Sequence, residues 1–336
     1  MTHEEVKQLL ETKAYDFLRT NPHLKGKILF LCLGGSHSYG TNVETSDIDI
    51  RGVAMNSATD IVGLTTFDQY VDNETDTTIY GFMKFIKLLK ECNPNIIEML
   101  FCRPDHYFYV TDLGRQLLKN RHLFLSKRAY FTFGGYARAQ LNRLENALCA
   151  KGKILDERET KEHINRSVQN ALMSFEQVKG LINSHVGTYR DEDQILVDVN
   201  LKDFPLKDLK GIIDKSAEVL RDYEKSLGHN NKKDDLHLNK HMMHLVRLYI
   251  MCNEILRDYN LHTYRENEHD LLMSIREGKF RTKEGGVTDE FYQLIKGLSD
   301  ANEENYKTSI LPKSADEKAV NFLVMNIIGK AFKQMH

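Results

Sequence analysis

The chain has 336 residues, of which 41% are hydrophobic and 28% charged, and a formal net charge of −2. That length favours two domains and the apolar content suffices for packed cores, while the near-neutral charge excludes a histone-like or coat-like nucleic-acid binder and leaves room only for a local basic cleft. Five widely spaced cysteines with no CxxC pair exclude a zinc ribbon and predict reduced thiols in a cytoplasmic protein.

Five prolines and the lack of any low-complexity tract argue against long disordered regions. The opening "MTHEEVKQLLETK" is polar and acidic, unlike a signal peptide. No apolar run approaches the roughly 18 residues of a membrane span. The expectation is a soluble, cytoplasmic protein.

In chain order, apolar positions Val6, Leu9, Leu10, Ala14, Phe17 and Leu18 predict a helix over 4–19. "KILFLCL", residues 27–33, predicts a buried strand. A second strand is predicted over 47–55, "DIDIRGVAM", and a third within 67–80, most plausibly 75–80. "GFMKFIKLLKEC" predicts an amphipathic helix. Asn93 is the expected N-cap and Pro94 the first helical residue of the next. Beyond about residue 115 strand signals fade, and helices are predicted over 124–150, 157–186, 205–227, 236–259, 288–305 and 314–335. "NSHVGTYRDEDQ" and "GHNNKKDD" read as loops. No fixed-period repeat indicates a solenoid. The expected architecture is α+β, with a small mixed-sheet domain over 1–118 and a mostly helical domain over 119–336.

The chemistry concentrates between Leu33 and Gly52, "LGGSHSYGTNVETSDIDIRG". Gly34 and Gly35 permit backbone angles closed to other residues and let a ligand approach the main chain. A helix beginning near Ser36 would point N–H groups at an anion, although taken alone the glycines are more simply a tight strand–helix turn with no ligand. No GxxxxGK[ST] Walker loop and no Rossmann fingerprint are present. Asp47 and Asp49 alternate with Ile48 and Ile50. On a strand both carboxylates share one face, roughly 7 Å apart, while the isoleucines face the core. Like charges so close favour a cation, and hard oxygen ligands suit Mg²⁺ or Mn²⁺; an acidic edge-strand face is the plain alternative. Arg51 shares their parity, either to neutralise them or to touch a triphosphate. A phosphate seat about a dozen residues before a metal-binding pair is the combination nucleotidyl transfer requires.

This segment resembles the hG[GS]-x(9–13)-DxD signature of the DNA polymerase β superfamily of nucleotidyltransferases, which includes poly(A) polymerases, CCA-adding enzymes and antibiotic nucleotidyltransferases. With "CNPNIIEMLF" and "HMMHLVRLYIMCNEIL…LLMSIREG", the chain is similar, with gaps over 28–280, to a bacterial and phage subfamily of predicted nucleotidyltransferases, some linked to RNA-repair gene clusters. The resemblance implies a polymerase β-like palm, with Gly34, Gly35 and Ser36 on phosphate and Asp47 and Asp49 on Mg²⁺ or Mn²⁺. It also implies a third acid on a later strand. Asp76 is the choice for that acid, with Asp72, Glu74 and Glu98 competing. The implied reaction moves an NMP from an NTP to an acceptor hydroxyl and releases pyrophosphate. An RNA 3′ end is the acceptor favoured by analogy; protein or small-molecule nucleotidylation, a regulatory or toxin–antitoxin-type nucleotide binder and an interaction protein are the alternatives.

Farther along, His237, Lys240, His241, His244 and Arg247 form a polar stripe on an otherwise apolar helix. Lys240, His244 and Arg247 are candidate phosphate ligands; a satisfied interior stripe and a zinc set of His237, His241 and His244 are the other readings. Lys84 and Lys87, and Tyr136, Arg138 and Arg143, are default surface or core residues that would matter only beside a phosphate or a base.

Overall fold

A computed structural model describes residues 3–150, 186–191, 194–199, 235–283 and 285–335. The chain is α+β and divides into two compact units. The first comprises Met1–Leu141, Asn239–Phe280 and Thr288–His336, drawing residues from both sides of position 118. The second comprises Asn142–Leu238 and Arg281–Val287.

The first unit holds a five-stranded sheet: β1 (Ile28–Leu33), β2 (Ile50–Ala54), β3 (Gln69–Asp72), β4 (Thr77–Gly81) and β5 (Tyr107–Val110), in the order β3-β4-β2-β1-β5. Interior strand β1 runs antiparallel to β2 and β5, whereas central β2 runs parallel to β4. After β2 the chain passes out to edge strand β3 and returns as β4, a hairpin whose turn lies at the end of the sheet where β2 begins.

Side chains of β1 alternate between two covered faces, which is why its whole run is apolar. Leu31 and Leu33, with Ile50, Ala54 and Ile79, pack against Val6, Leu10, Tyr15, Leu18 and Leu24 from the N-terminal segment. On the other face Phe30 meets Phe85 of helix Phe82–Lys90 edge-on, with centroids 6.0 Å apart, and Tyr80 touches the same ring.

Several sequence expectations are corrected. The helix over 4–19 is broken into His3–Leu10, a 3₁₀ turn and Phe17–Thr20. The Arg19 guanidinium folds back onto the Leu10, Glu11 and Thr12 carbonyls, satisfying acceptors that a continuous helix would have used. Strand β2 begins at Ile50 rather than Asp47, because β1 reaches its last paired residue at Leu33 and then turns away. "YFYV" forms β5, an aromatic and β-branched run the sequence reading left unassigned. "NSHVGTYRDEDQ" is no loop over its middle: β6 (Val186–Asp191) pairs antiparallel with β7 (Gln194–Val199) in the second unit.

The Asn93 cap is present, its side chain accepting from the Asn95 N–H at 3.1 Å with Pro94 at the first turn. Helices Arg128–Ala150, Asp235–Asp258, Asp289–Thr308 and Glu317–Met335 follow the expected pattern. The helix expected over 157–186 lies outside the described residues except for Val186, which begins β6, and the helix expected over 205–227 and all but the last residue of "GHNNKKDD" lie outside them altogether. Among the described residues no helix is long and apolar enough to cross a membrane.

Phe85 is fully buried between sheet and helix. Phe85→Ala is expected to lower unfolding free energy by about 3–5 kcal/mol, measured as a shift in denaturant midpoint at unchanged m.

Candidate active site

Three chain segments meet at one end of the sheet. The first is the glycine turn. After Leu33 the Gly34 N–H donates to the Asp49 carbonyl at 2.8 Å, adding a rung to the β1–β2 ladder. Helix Gly35–Tyr39 starts at once, with Gly35 at φ +57°. A Cβ at Gly35 would fall 1.8 Å from Asp49 Oδ2, and one at Gly34 would fall 2.8 Å from Arg51 Cγ. The two glycines therefore leave room for the Asp49 carboxylate and the Arg51 side-chain stem packed against the turn. Ser36 is buried and its carbonyl accepts from the Thr41 N–H at 2.9 Å. Ser38 Oγ closes the turn on the Gly35 carbonyl at 2.8 Å.

The second and third segments carry the acids. Ile50 pairs with Thr77 in the parallel β2–β4 register, so Asp49 and Asp76, each one residue earlier, are neighbours across the two strands. The Ile50 N–H donates to the Asp76 carbonyl at 3.3 Å. Asp76 ends the β3–β4 turn in a left-handed conformation, φ +46°, which aspartate adopts at lower cost than most residues. Arg51 bridges the pair, with Nη2 on Asp49 Oδ1 and Nη1 on the Asp76 carbonyl, both at 2.7 Å. Burial raises the Asp49 pKa; Arg51 opposes the shift, Asp76 adds to it and Lys240 opposes it. Arg51 thus neutralises Asp49.

Asp47 is exposed on the extended lead-in to β2. Of the competing acids, Asp72 accepts from the Thr75 N–H and hydroxyl inside the hairpin turn, and Glu98 is buried in an ion pair. Glu74 is exposed. Among the described residues no three His, Cys, Asp or Glu side chains are arranged to hold a metal ion, which also leaves the three-histidine zinc set unassembled.

The polar stripe of helix Asp235–Asp258 divides. Lys240 is exposed and acts electrostatically on Asp49. His241 Nδ1 lies 2.8 Å from Gln140 Oε1. His244 meets the Tyr39 ring edge-on, with centroids 6.3 Å apart. Arg247, expected on phosphate, is instead almost fully buried: its Nη1 donates to Glu98 Oε1 at 2.6 Å and its guanidinium lies 3.6 Å from the centre of the Tyr39 ring. Tyr39 in turn donates to Glu98 Oε2 at 2.6 Å. An arginine between a carboxylate and an aromatic face is committed to structure, and Arg247 is withdrawn as a phosphate ligand on that ground.

Sequence reasoning missed this Tyr39–Glu98–Arg247 network. Its only signal was the polarity of three residues in apolar surroundings. Of the remaining minor candidates, Lys84 pairs with Asp68 at 3.6 Å, Lys87, Arg138 and Arg143 are exposed, and the Tyr136 hydroxyl accepts from the Asn93 amide at 3.1 Å.

Two outcomes follow from these contacts. Arg247→Met is expected to destabilise by about 3–5 kcal/mol, because it strands a buried carboxylate; the Glu98→Gln/Arg247→Met double variant should lose less than the two single losses combined, which denaturant titration of all three measures. The His244 pKa is pushed well below 6.5, by burial first and then by Arg247, Lys240, His241 and Arg276. The folded protein therefore refuses a proton that the unfolded chain takes up below about pH 6.5, and stability is lost as the pH falls through that value. His244→Asn should flatten the stability profile between about pH 7 and 5; His106, whose pKa burial also lowers, leaves a residual slope.

No curated protein and no solved structure matches the chain. Residues 3–198, more than half of its length, match the model of the RNA repair pathway DNA polymerase beta family, RlaP. Membership supports a nucleotidyltransferase-type role. The glycine turn, the aspartate pair and the mixed sheet that brings them together all lie within the matched segment, and the chain belongs to the RNA repair pathway DNA polymerase beta family.

Proposed function

We propose that the protein is a metal-dependent nucleotidyltransferase that moves an NMP from an NTP to an acceptor hydroxyl, with an RNA 3′ end as the acceptor. The observation that carries this reading is the single row formed by Gly34, Asp49 and Asp76 across β1, β2 and β4. It places a backbone able to approach phosphate beside two carboxylates from adjacent strands.

Asp49 and Asp76 present hard oxygen donors from adjacent strands, of the kind a divalent cation takes, but with the exposed Asp47 they are not arranged as a three-ligand set, so a cation would have to draw them together. Asp76 adds to the upward shift that burial gives the Asp49 carboxyl, and the Arg51 guanidinium is the main compensation there. Asp47, Asp49 and Asp76 would hold Mg²⁺ or Mn²⁺, which would supply positive charge to the phosphates and acidify the attacking hydroxyl. Gly35 and Ser36 would meet the triphosphate, the Ser36 hydroxyl donating to it, while the Gly34 N–H is held by the Asp49 carbonyl. Lys240 offsets charge at the phosphates and Arg51 keeps Asp49 oriented. In the transfer, the acceptor oxygen bonds to the α-phosphorus as the bond to the β-phosphate bridging oxygen breaks. Pyrophosphate carries that electron pair away, and the hydroxyl proton passes to the Asp76 carboxylate.

The Asp47→Asn/Asp49→Asn double variant, incubated with labelled NTP and an RNA acceptor, is expected to lose transfer by about 100-fold or more; transfer at the wild-type rate would sink the enzyme reading. Gly35→Ala should fold yet lose transfer by a comparable factor, because its methyl group displaces the Asp49 carboxylate. Thermal stabilisation by NTP and Mg²⁺ without pyrophosphate release on any acceptor would mark a nucleotide sensor instead.

A further inference from the structure

Asp49 is held by Arg51 and by its place just before β2, whereas Asp47 is exposed on a stretch that belongs to no helix or strand. That stretch, residues 41–49, leads from the glycine turn to Ile50, and residues 42–45 of it are exposed. Its internal hydrogen bonds close one turn: the Ser46 N–H donates to the Val43 carbonyl and the Val43 N–H to Ser46 Oγ, both at 2.9 Å. A stretch with so few contacts of its own does not keep a carboxylate in place unaided.

The anchors come from residues that follow helix Asp235–Asp258. Tyr264 packs its ring against Gly40, where a Cβ would fall 2.5 Å from the ring's Cε2. The Arg265 N–H holds the Tyr39 carbonyl at 3.0 Å, and the Arg265 side chain is tied to Glu254 at 2.7 Å and to Glu268 at 2.8 Å. Arg276, the last residue of helix His269–Arg276, then takes the stretch at both ends. Its guanidinium donates to the Thr41 carbonyl and, at 3.4 Å, to Ser46 Oγ. The Ser46 carbonyl lies 3.3 Å from His37 Nε2, so Ser46 is held from two sides immediately before Asp47.

These contacts make a clamp rather than a charge pair. Both acceptors of Arg276 are neutral oxygens, and it forms no ion pair among the described residues. A guanidinium presents its N–H groups in a rigid fork, so two contacts from one side chain fix the separation of the atoms they meet. Fixing Thr41 against Ser46 fixes the course of the chain into Asp47.

We propose that Arg276 is a positioning residue for the cation site: by holding Ser46 it keeps Asp47 within reach of the row formed by Asp49 and Asp76. This rests on the reading above that those three acids take a divalent cation. A cation has to draw the three together, and ordering the stretch at that moment would weaken its binding. The clamp does that ordering beforehand, as partners behind metal ligands do. A cationic side chain that was only an electrostatic neighbour of the site would repel the metal, and removing it would tighten binding. The clamp predicts the reverse sign.

The test titrates Mn²⁺ into the full chain without nucleotide and reads the free ion by electron paramagnetic resonance, at a temperature where melting curves show every variant folded. Arg276→Gln is expected to bind Mn²⁺ about tenfold more weakly than wild type. Arg276→Lys, which keeps the charge but loses the fork, should fall between. The Asp47→Asn/Arg276→Gln double variant should bind no more weakly than Asp47→Asn alone, because the clamp acts through Asp47. Wild-type or tighter Mn²⁺ affinity in Arg276→Gln would overturn the proposal even if that variant melts lower, and so would losses that multiply in the double variant. A wild type that takes up no Mn²⁺ would overturn the clamp and the cation site together. The expected order of affinities in a protein that transfers no NMP to any acceptor would uphold the clamp and sink only the transferase reading.

Discussion

The buried contact of Glu98 with Arg247 and Tyr39 sets where everything else at the site can be. Its members come from the glycine turn, from the segment after the Asn93-capped helix and from a helix 149 residues beyond Glu98 in sequence. Charges so far from water persist only when their hydrogen-bonding capacity is nearly filled. Glu98 reaches that state with a guanidinium on one oxygen and a phenol on the other, and its backbone carbonyl also receives the Thr263 hydroxyl at 3.0 Å. The Tyr39 carbonyl accepts from the Arg265 N–H at 3.0 Å. The turn is thus held from the side opposite the sheet, which is why a five-residue helix can keep one orientation.

On the sheet side, placement follows from topology. A strand that ends, a strand that begins and a hairpin that returns in parallel register all place their loose ends at one edge. Only there can Gly34, Asp49 and Asp76 be adjacent, and the glycines are small because Asp49 and Arg51 fill the space that side chains would need. Burial raises the Asp49 pKa: the carboxylate is kept partly from water, the Arg51 guanidinium opposes the shift and Asp76 adds to it. Local tension of this kind collects where chemistry is done.

Much of this was legible in the sequence because it depends on near neighbours. The glycine turn, the alternation of Asp47-Ile48-Asp49-Ile50, the Asn93–Pro94 cap and the long amphipathic helices are all patterns within a few residues. Strand β2 proved shorter than its alternation suggested, because a strand needs a partner and β1 had turned away by Leu33. The 4–19 helix broke for a comparable reason, with Arg19 supplying acceptors' partners that periodicity does not register. The loop expected over "NSHVGTYRDEDQ" contains β6, whose glycine and charged residues look like a turn, while the residues of β7 after Gln194 carry no sequence assignment.

The sequence alone determined which residue types carry the chemistry and which family shares them, because a glycine turn followed by spaced aspartates constrains backbone and charge locally. Tertiary structure alone decided the roles of the long-range partners. Arg247 and Arg276 are both arginines on helices with apolar neighbours, yet one is enclosed by a carboxylate and an aromatic ring while the other meets only neutral oxygens. No pattern within either helix distinguishes them. The difference is set by the electrostatics of what the fold brings alongside, and that exists only once distant segments have packed.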